Sequence, residues 1–315
     1  MKAGRLHLAL GVLAAALLAH EASAQYKWDV GVHLGGANYL GEMGGKEKTR
    51  QDFIWDMKLS QTRWAVGGFA RYKINRTISI NSGILYYRIQ GGDYLSTNPA
   101  RVGRNLSFRN DMFELYLRPE FTIFQDNDLG GRGRYRTDFR LFAYVGGALY
   151  MSNPKGQINH TGEFYKLRDM DTELASYSPM GFAIPAGLGF HFTFKRRHRI
   201  GWDFGWRTTF SDYLDDASTV YADPSALPGG VGSTAADLAN QTSYIYGPNG
   251  TTPNPVELVQ YGPGLKRGDP THNDSYLTMT LTYSYVLKGQ SNFYRQRYNW
   301  MRGKKRIGRK SRAKF

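Results

Sequence analysis

Enzymatic chemistry needs nucleophiles, acids and bases within reach of one another, and this 315-residue sequence is sparing with them. It contains no cysteine, which removes thiolate catalysis, thiolate metal sites, lipoprotein attachment and disulfides from consideration. Past the N-terminal leader, histidine occurs as His33, His160, His191, His198 and His272. Acyl transfer would want a histidine at a strand end paired with a serine and an acid, and none of these has that arrangement. The sequence also lacks a Gly-rich phosphate loop, a zinc spacing and a dinucleotide fingerprint. No catalytic residue, no metal ligand and no cofactor is expected, and the chain is read as not an enzyme.

Two groups of charged residues remain. Asp212, Asp215 and Asp216 stand together in "SDYLDDAS", and "RGDPTHND" adds Asp269, Asn273 and Asp274 further on. Together they could hold calcium, but neither stretch has the spaced oxygen ligands and central glycine of a calcium loop. The preferred expectation is that they hydrogen-bond the base of a loop at an outer lip, near lipopolysaccharide or divalent ions. The second group is Arg71, Glu114, Arg118, Glu120, Asp203 and Arg207, and its meaning depends on the elements that carry it.

Those elements are strands. In "FELYLRPEFTIF", Phe113, Leu115, Leu117, Phe121 and Ile123 share one face while Glu114, Tyr116, Arg118, Glu120 and Thr122 share the other. The same period of two recurs in 181–194, 200–211 and 275–286, and less cleanly in 28–40, 63–74, 77–89 and 138–151. A soluble sandwich also alternates. Its non-core face meets water, however, where repeated glycine is a cost, whereas here that face is rich in Gly, Ser and Thr, as suits a cramped barrel lumen. Aromatic residues gather at strand ends (Trp28, Tyr39, Trp64, Tyr72, Tyr86, Tyr87, Phe194, Tyr213, Tyr276, Tyr285), as membrane-interface girdles do. The expected fold is all-β, an eight-stranded antiparallel transmembrane β-barrel. Connections at 75–76, 125–137 and 195–198 are comparatively short, and those at 41–62, 90–104, 152–180 and 212–274 are long. Short turns belong to the periplasmic side, which sends the long loops outside and both termini to the periplasm.

The ends agree with export. Residues 1–24 carry Lys2 and Arg5, an apolar run from Leu8 to Leu18 and the closing Ala22-Ser23-Ala24, a secretory signal peptide that leaves Gln25 as the first mature residue. The alternative, an uncleaved anchor, is disfavoured by the shortness of the run. The chain ends in "RQRYNWMRGKKRIGRKSRAKF". After Gly289 it has no acidic residue, and this tail supplies most of the net charge of +15. Nucleic acid is excluded by compartment, since an exported chain does not meet it. Anionic head groups and a protein partner both remain, with Tyr298, Trp300, Arg302, Lys304, Lys305, Arg306, Arg309 and Lys310 as the expected partner-binding residues. Three segments result: signal peptide 1–24, barrel 25–288 and basic periplasmic tail 289–315.

Several stretches, taken in order, resemble one family: "DVGVHLGGANYLGEM", "GGDYLS", "RNLSFRNDMFELYLRPEF", "FSDYLDDAS" and "RGDPTHNDSYLTMTLTYSYV". They are similar to the PorG-like outer-membrane barrels of the type IX secretion system of Bacteroidetes. The resemblance implies a non-enzymatic role in protein secretion, tying a periplasmic ring of the lipoprotein PorK and the soluble protein PorN to the outer membrane. The alternation of residues implies a barrel and nothing more. From the residues alone, the alternative is a generic structural or small-solute barrel whose tail touches lipid or cell wall. Arg71, Glu114, Arg118, Glu120, Asp203 and Arg207 would then point inward from several strands, and opposite signs in a dry lumen should pair into a plug. An ion or proton path is the competing expectation, weakened because eight strands enclose only enough room for their own side chains.

Overall fold

A computed structural model describes residues 27–41, 43, 57–96, 98–127, 137–246 and 261–287. The signal peptide and the basic tail, with Tyr298, Trp300 and the tail cations, lie outside the described residues.

Eleven strands form one antiparallel sheet: β1 (Trp28–Leu40), β2 (Arg63–Lys73), β3 (Ile78–Gly92), β4 (Ser107–Asp126), β5 (Asp138–Val145), β6 (Gly147–Met151), β7 (Pro154–Ile158), β8 (Thr161–Lys166), β9 (Met180–Phe194), β10 (His198–Thr209) and β11 (Ser275–Val286). Neighbours in sequence pair from β1 to β4, β4 pairs with β5 and β6, these pair with β9, and β9 to β11 follow in order. β11 then pairs with β1 from Asp29↔Val286 to Leu40↔Ser275, closing the ring. Because β5 and β6 are successive pieces of one crossing, the ring is eight-stranded, as the alternation predicts. The sequence reads 138–151 as a single strand, and the structure interrupts it at Gly146. The register of β4 against the two pieces puts Arg118 and Pro119 opposite the gap, and proline has no N–H to give a ladder.

The apolar face is on the outside. Along β4, Phe113, Leu115, Leu117, Phe121 and Ile123 are exposed, whereas Glu114, Tyr116, Arg118 and Glu120 are buried. Val30, Val32 and Leu34 on β1, Phe182, Ile184 and Leu188 on β9, and Met279 and Leu281 on β11 extend the exposed apolar belt around the ring. A belt of this size on a closed barrel is a lipid-facing surface, and closure leaves no unpaired strand edge inside it. Trp28 packs on Tyr72 at one rim and Trp64 on Tyr86 at the other, with ring centroids 4.8 and 4.9 Å apart. Tyr39, Tyr87 and Tyr276, expected in the girdles, are instead fully buried and point inward. Alternation correctly gives strands here, but near the upper rim these tyrosines occupy the lumen phase, where each hydroxyl finds a carboxylate.

Short turns join the strands at one end. Between β2 and β3, Asn75 Oδ1 accepts from the N–H groups of Thr77 and Ile78. Between β9 and β10, Lys195 and Arg196 both adopt left-handed backbone (φ 50° and 59°), the conformation of the tight hairpin turns that match strand twist. The opposite end is built up. β3 and β4 run past the belt to Gly92 and Ser107, further than the sequence expectation of 77–89 and 113–124, and β7 pairs with β4 from Phe108 to Asn110. β7 and β8 form a hairpin turning through Asn159 and His160, both left-handed, where the sequence expects an irregular connection over 152–180. A helix at Pro99–Arg104 begins at the cap Asn98 with proline in its first turn, and another at Thr234–Ala239 begins at the cap Ser233.

Candidate functional site

The lumen holds a layered network of ions and their hydrogen-bond partners carried by seven of the eight crossings. Nearest the short turns, Asp29 of β1 accepts from Arg71 of β2 (3.2 Å), Arg199 of β10 (2.7 Å) and Ser284 of β11 (2.9 Å). Arg71 also pairs with Glu120 of β4 at 2.8 Å, and Asn81 of β3 donates to the same carboxylate at 2.7 Å. In the middle layer, Arg118 of β4 faces Asp203 of β10 with two N–H groups, at 2.5 and 3.3 Å. Its guanidinium lies between the rings of Tyr144 (3.8 Å) and Tyr116 (5.0 Å), and the Tyr144 hydroxyl donates to Asp203 at 2.7 Å. Above it, Glu114 accepts from Tyr276 (2.8 Å) and Tyr87 (3.2 Å) and pairs with Arg207 at 3.5 Å, while Arg207 also donates to Thr278.

All six residues expected in the lumen are therefore there, each nearly or wholly buried. Every one has an opposite charge as partner, which is how a low-dielectric interior tolerates ions. The sequence reading missed Asp29, Asn81, Tyr144 and Arg199. Asp29 opens a strand whose other inward residues are mostly small, and Arg199 looks like one member of the basic turn "KRRHR". Their inward alternation phase was the available signal. His33 also sits in the lumen, with Nδ1 3.1 Å from the Thr280 hydroxyl and Nε2 2.9 Å from that of Tyr116. Paired glycines make the room: Gly187 and Gly205 are opposite each other in β9 and β10, and a side chain at either would strike the Tyr144 hydroxyl.

The outer-lip aspartates separate. Asp215 and Asp274 share the Tyr39 hydroxyl, at 2.6 and 2.5 Å, and Asp274 also accepts the Leu214 N–H at 3.0 Å. Asp216 turns away to accept from Thr172 (2.5 Å) and Tyr177 (2.6 Å) and faces Arg267 at 3.7 Å. Asp212 is buried close by. Asp269, by contrast, is at the surface, paired with Lys266 at 3.3 Å. The disfavoured alternative, one calcium constellation, finds these carboxylates split, and their hydrogen bonds lie at a loop base, as the preferred expectation has it. Arg267 is the hub: it pairs with Glu173 at 2.7 Å, donates to the backbone carbonyls of Asp216 and Ala239, and gives its own carbonyl to Arg104, which is held by Asp93 at 2.6 Å. Burial pushes Asp216 up to about 6 against the opposing pull of Arg267. It also raises Asp274, with the neighbouring Asp215 and Asp212 adding to the effect. The described parts of the loops after β3, β6 and β10 are thereby tied into one cap at the long-loop end.

The family described as "Domain of unknown function (DUF6089)" matches residues 7–229, more than half of the sequence. The chain belongs to this family. The match takes in every strand from β1 to β10 and all six lumen ions named from the sequence, stopping before β11. Among solved structures, the N-terminal β-barrel domain of Pseudomonas aeruginosa OprF is similar at 8% identity and TM-score 0.32, covering 82% of this chain and 97% of that one. Ail, the attachment invasion locus protein of Yersinia pestis, is similar in complex with the heparin analogue sucrose octasulfate, at 8% identity, TM-score 0.33, and 82% and 98% coverage. A second Ail structure gives 7% identity, TM-score 0.32, and 84% and 100% coverage. No curated protein matches the chain. In this member of the DUF6089 family, the site is a set of mutually neutralising charges that fastens opposite walls of the barrel.

Proposed function

We propose that this chain is a non-enzymatic outer-membrane component of the type IX protein secretion machinery, an anchor that ties the periplasmic PorK/PorN ring to the membrane. The observation that carries this reading is the filled lumen. Arg118–Asp203 and Arg207–Glu114 cross the barrel in mid-section, and the cap built on Arg267 covers the long-loop mouth. A barrel closed in this way is suited to holding other proteins at a membrane and poorly suited to passing solutes through one. The exposed apolar belt supports an outer-membrane location, and by the short-turn rule the end with tight turns faces the periplasm. The secretion assignment is supported by the sequence stretches that resemble PorG-like barrels.

Deleting the gene tests the assignment: export of proteins bearing the C-terminal sorting domain should be lost. Intact secretion would sink the reading. In the same cells, a tagged chain should recover ring proteins, and removing residues 290–315 should reduce that recovery while the barrel keeps its heat-modifiable migration in detergent gels. Equal recovery without the tail would remove Tyr298, Trp300 and the tail cations from the partner surface and leave the barrel's short-turn end to carry it.

A further inference from the structure

The short-turn mouth of the barrel contains a cavity of about 510 Å³, lined by Lys73, Asp138, Arg140, His191, Arg196 and Arg199 among others. Four cations and one acid face a single space. Arg199 is already committed to Asp29 at 2.7 Å. Arg140 is different. Only 5% exposed, it donates through Nε to Thr122 (2.7 Å) and through Nη1 to Ser79 (3.0 Å), both neutral hydroxyls. Its Nη2 and the Nδ1 of His191, which is itself 3% exposed, have no hydrogen-bond partner. Among the described residues, the other buried lumen guanidiniums meet a carboxylate of this chain, as Arg71, Arg118 and Arg207 do. The acids that act on Arg140, Glu120 and Asp29, are already paired with Arg71 and Arg199, so among the described residues this buried cation has no carboxylate in direct contact, a costly arrangement that an incoming anion would relieve.

We infer that the short-turn mouth is a receptor for an oxyanion, and specifically for a carboxylate side chain presented on an acidic segment of a periplasmic protein. The free Nη2 supplies a planar donor suited to carboxylate, Lys73 adds a point charge, and the imidazole of His191 is at hand as a polar partner. Lipid head groups are ruled out as the source, because Arg140 and His191 point into the lumen and lipid meets only the outer belt. The space is far larger than one ion needs and accommodates a side chain with its backbone. Val286, the last residue of β11, also lines it. The ten cations of the tail, which lies outside the described residues, would add long-range attraction for the same acidic partner. The cavity stands on its own geometry and does not depend on the secretion assignment; only its periplasmic exposure is shared with that reading.

The test uses the full chain in phosphatidylcholine nanodiscs and a fluorescein-labelled peptide of alternating glutamate and glycine, read by anisotropy at about 150 mM salt, where distant surface charge is largely screened. Lys73→Gln and Arg140→Gln should each weaken binding about tenfold, whereas Arg76→Gln and Arg197→Gln, which remove the same charge outside the cavity, should change it less than about twofold. If all four variants weaken it equally, the peptide is reading surface charge and the proposal fails. Binding of inorganic phosphate without binding of the peptide would overturn the protein source. If Arg140→Gln loses its folded gel migration, Lys73→Gln at the cavity mouth decides the matter alone. Because the readout is purified protein with a synthetic peptide, its failure is separate from any result on secretion in cells.

Discussion

At the residue scale, the barrel shows why charges of opposite sign were retained in a place that penalises each of them singly. Arg118 and Asp203 are worth little as a pair against a well-packed apolar substitute, but losing either one strands the other in the lumen. Arg118→Met should cost about 3–5 kcal/mol in urea unfolding, and the double variant Arg118→Met/Asp203→Leu should recover much of the loss. A double variant as unstable as the single would show that the pair does not act as a unit. In the cap, Tyr39→Phe removes the hydroxyl that separates Asp215 from Asp274 and should cost about 1–3 kcal/mol, seen as faster protease cleavage in the 210–246 loop. Asp216 gives the cap a pH dependence. Its folded-state value is raised from 3.8 to about 6, so between those two values the folded cap binds more protons than the unfolded chain. Its contribution therefore strengthens as pH falls from about 6 to about 4 and is lost as pH rises through about 6. Asp274, raised for similar reasons, acts in the same direction. Hydrogen exchange of the cap across this window should show protection growing toward acid, and Asp216→Asn should flatten that trend.

At the scale of the element, each strand satisfies two solvents at once. β4 presents Leu115 and Leu117 to lipid and Glu114, Tyr116 and Arg118 to the lumen, so a single-residue slip would exchange the two sets completely. The ladder to β3 holds one register from Ile78↔Phe121 to Gly92↔Ser107, without a bulge. Leu115→Arg, placed on the outer face in mid-belt, should cost about 2–4 kcal/mol of barrel stability, measured by denaturant titration in vesicles. A neutral outcome would mean that this face is not in the hydrocarbon. The two sides of a strand also differ in how they tolerate bulk. The outside admits any apolar side chain that lipid can surround, whereas the backbone at Gly187 is pressed against the Phe204 carbonyl and the Tyr144 hydroxyl. Gly187→Val should displace Tyr144 from Asp203 and abolish the heat-modifiable folded band.

At the scale of the whole molecule, the two ends are chemically unlike. One carries a cap in which Asp93, Arg104, Asp216 and Arg267 are buried together with the side chain of Glu173. The other opens into a cavity in which cations outnumber acids. With the mid-section spanned by ion pairs, the purified chain in a planar bilayer should show no steady conductance, and a stable ohmic current would overturn the plugged-lumen account. The same asymmetry makes the short-turn end the side on which an acidic partner would be held.

Much of this was legible in the residue order, because strand periodicity is a local property. Alternation assigns Glu114, Arg118 and Glu120 to one face and Leu115 and Leu117 to the other before any contact is known, and closure of eight such crossings requires the charged faces to converge. The sequence therefore determines the barrel, its inside-out polarity and the membership of Arg71, Glu114, Arg118, Glu120, Asp203 and Arg207 in one lumen network. It does not determine partners. That Arg118 meets Asp203 and not Glu120, that Tyr39 bridges Asp215 to Asp274, and that the hydrogen bonds of Arg140 among the described residues go to hydroxyls depends on shear between strands far apart in the chain. The cap was the least readable part. Residues 213–246 have no sustained period of their own, and they are ordered by Arg267 and Asp274, which arrive from the far end of the same loop. Local alternation is written in neighbouring residues, whereas the pairing of buried charges is set by a closed ring whose register is fixed only after all eight crossings have met.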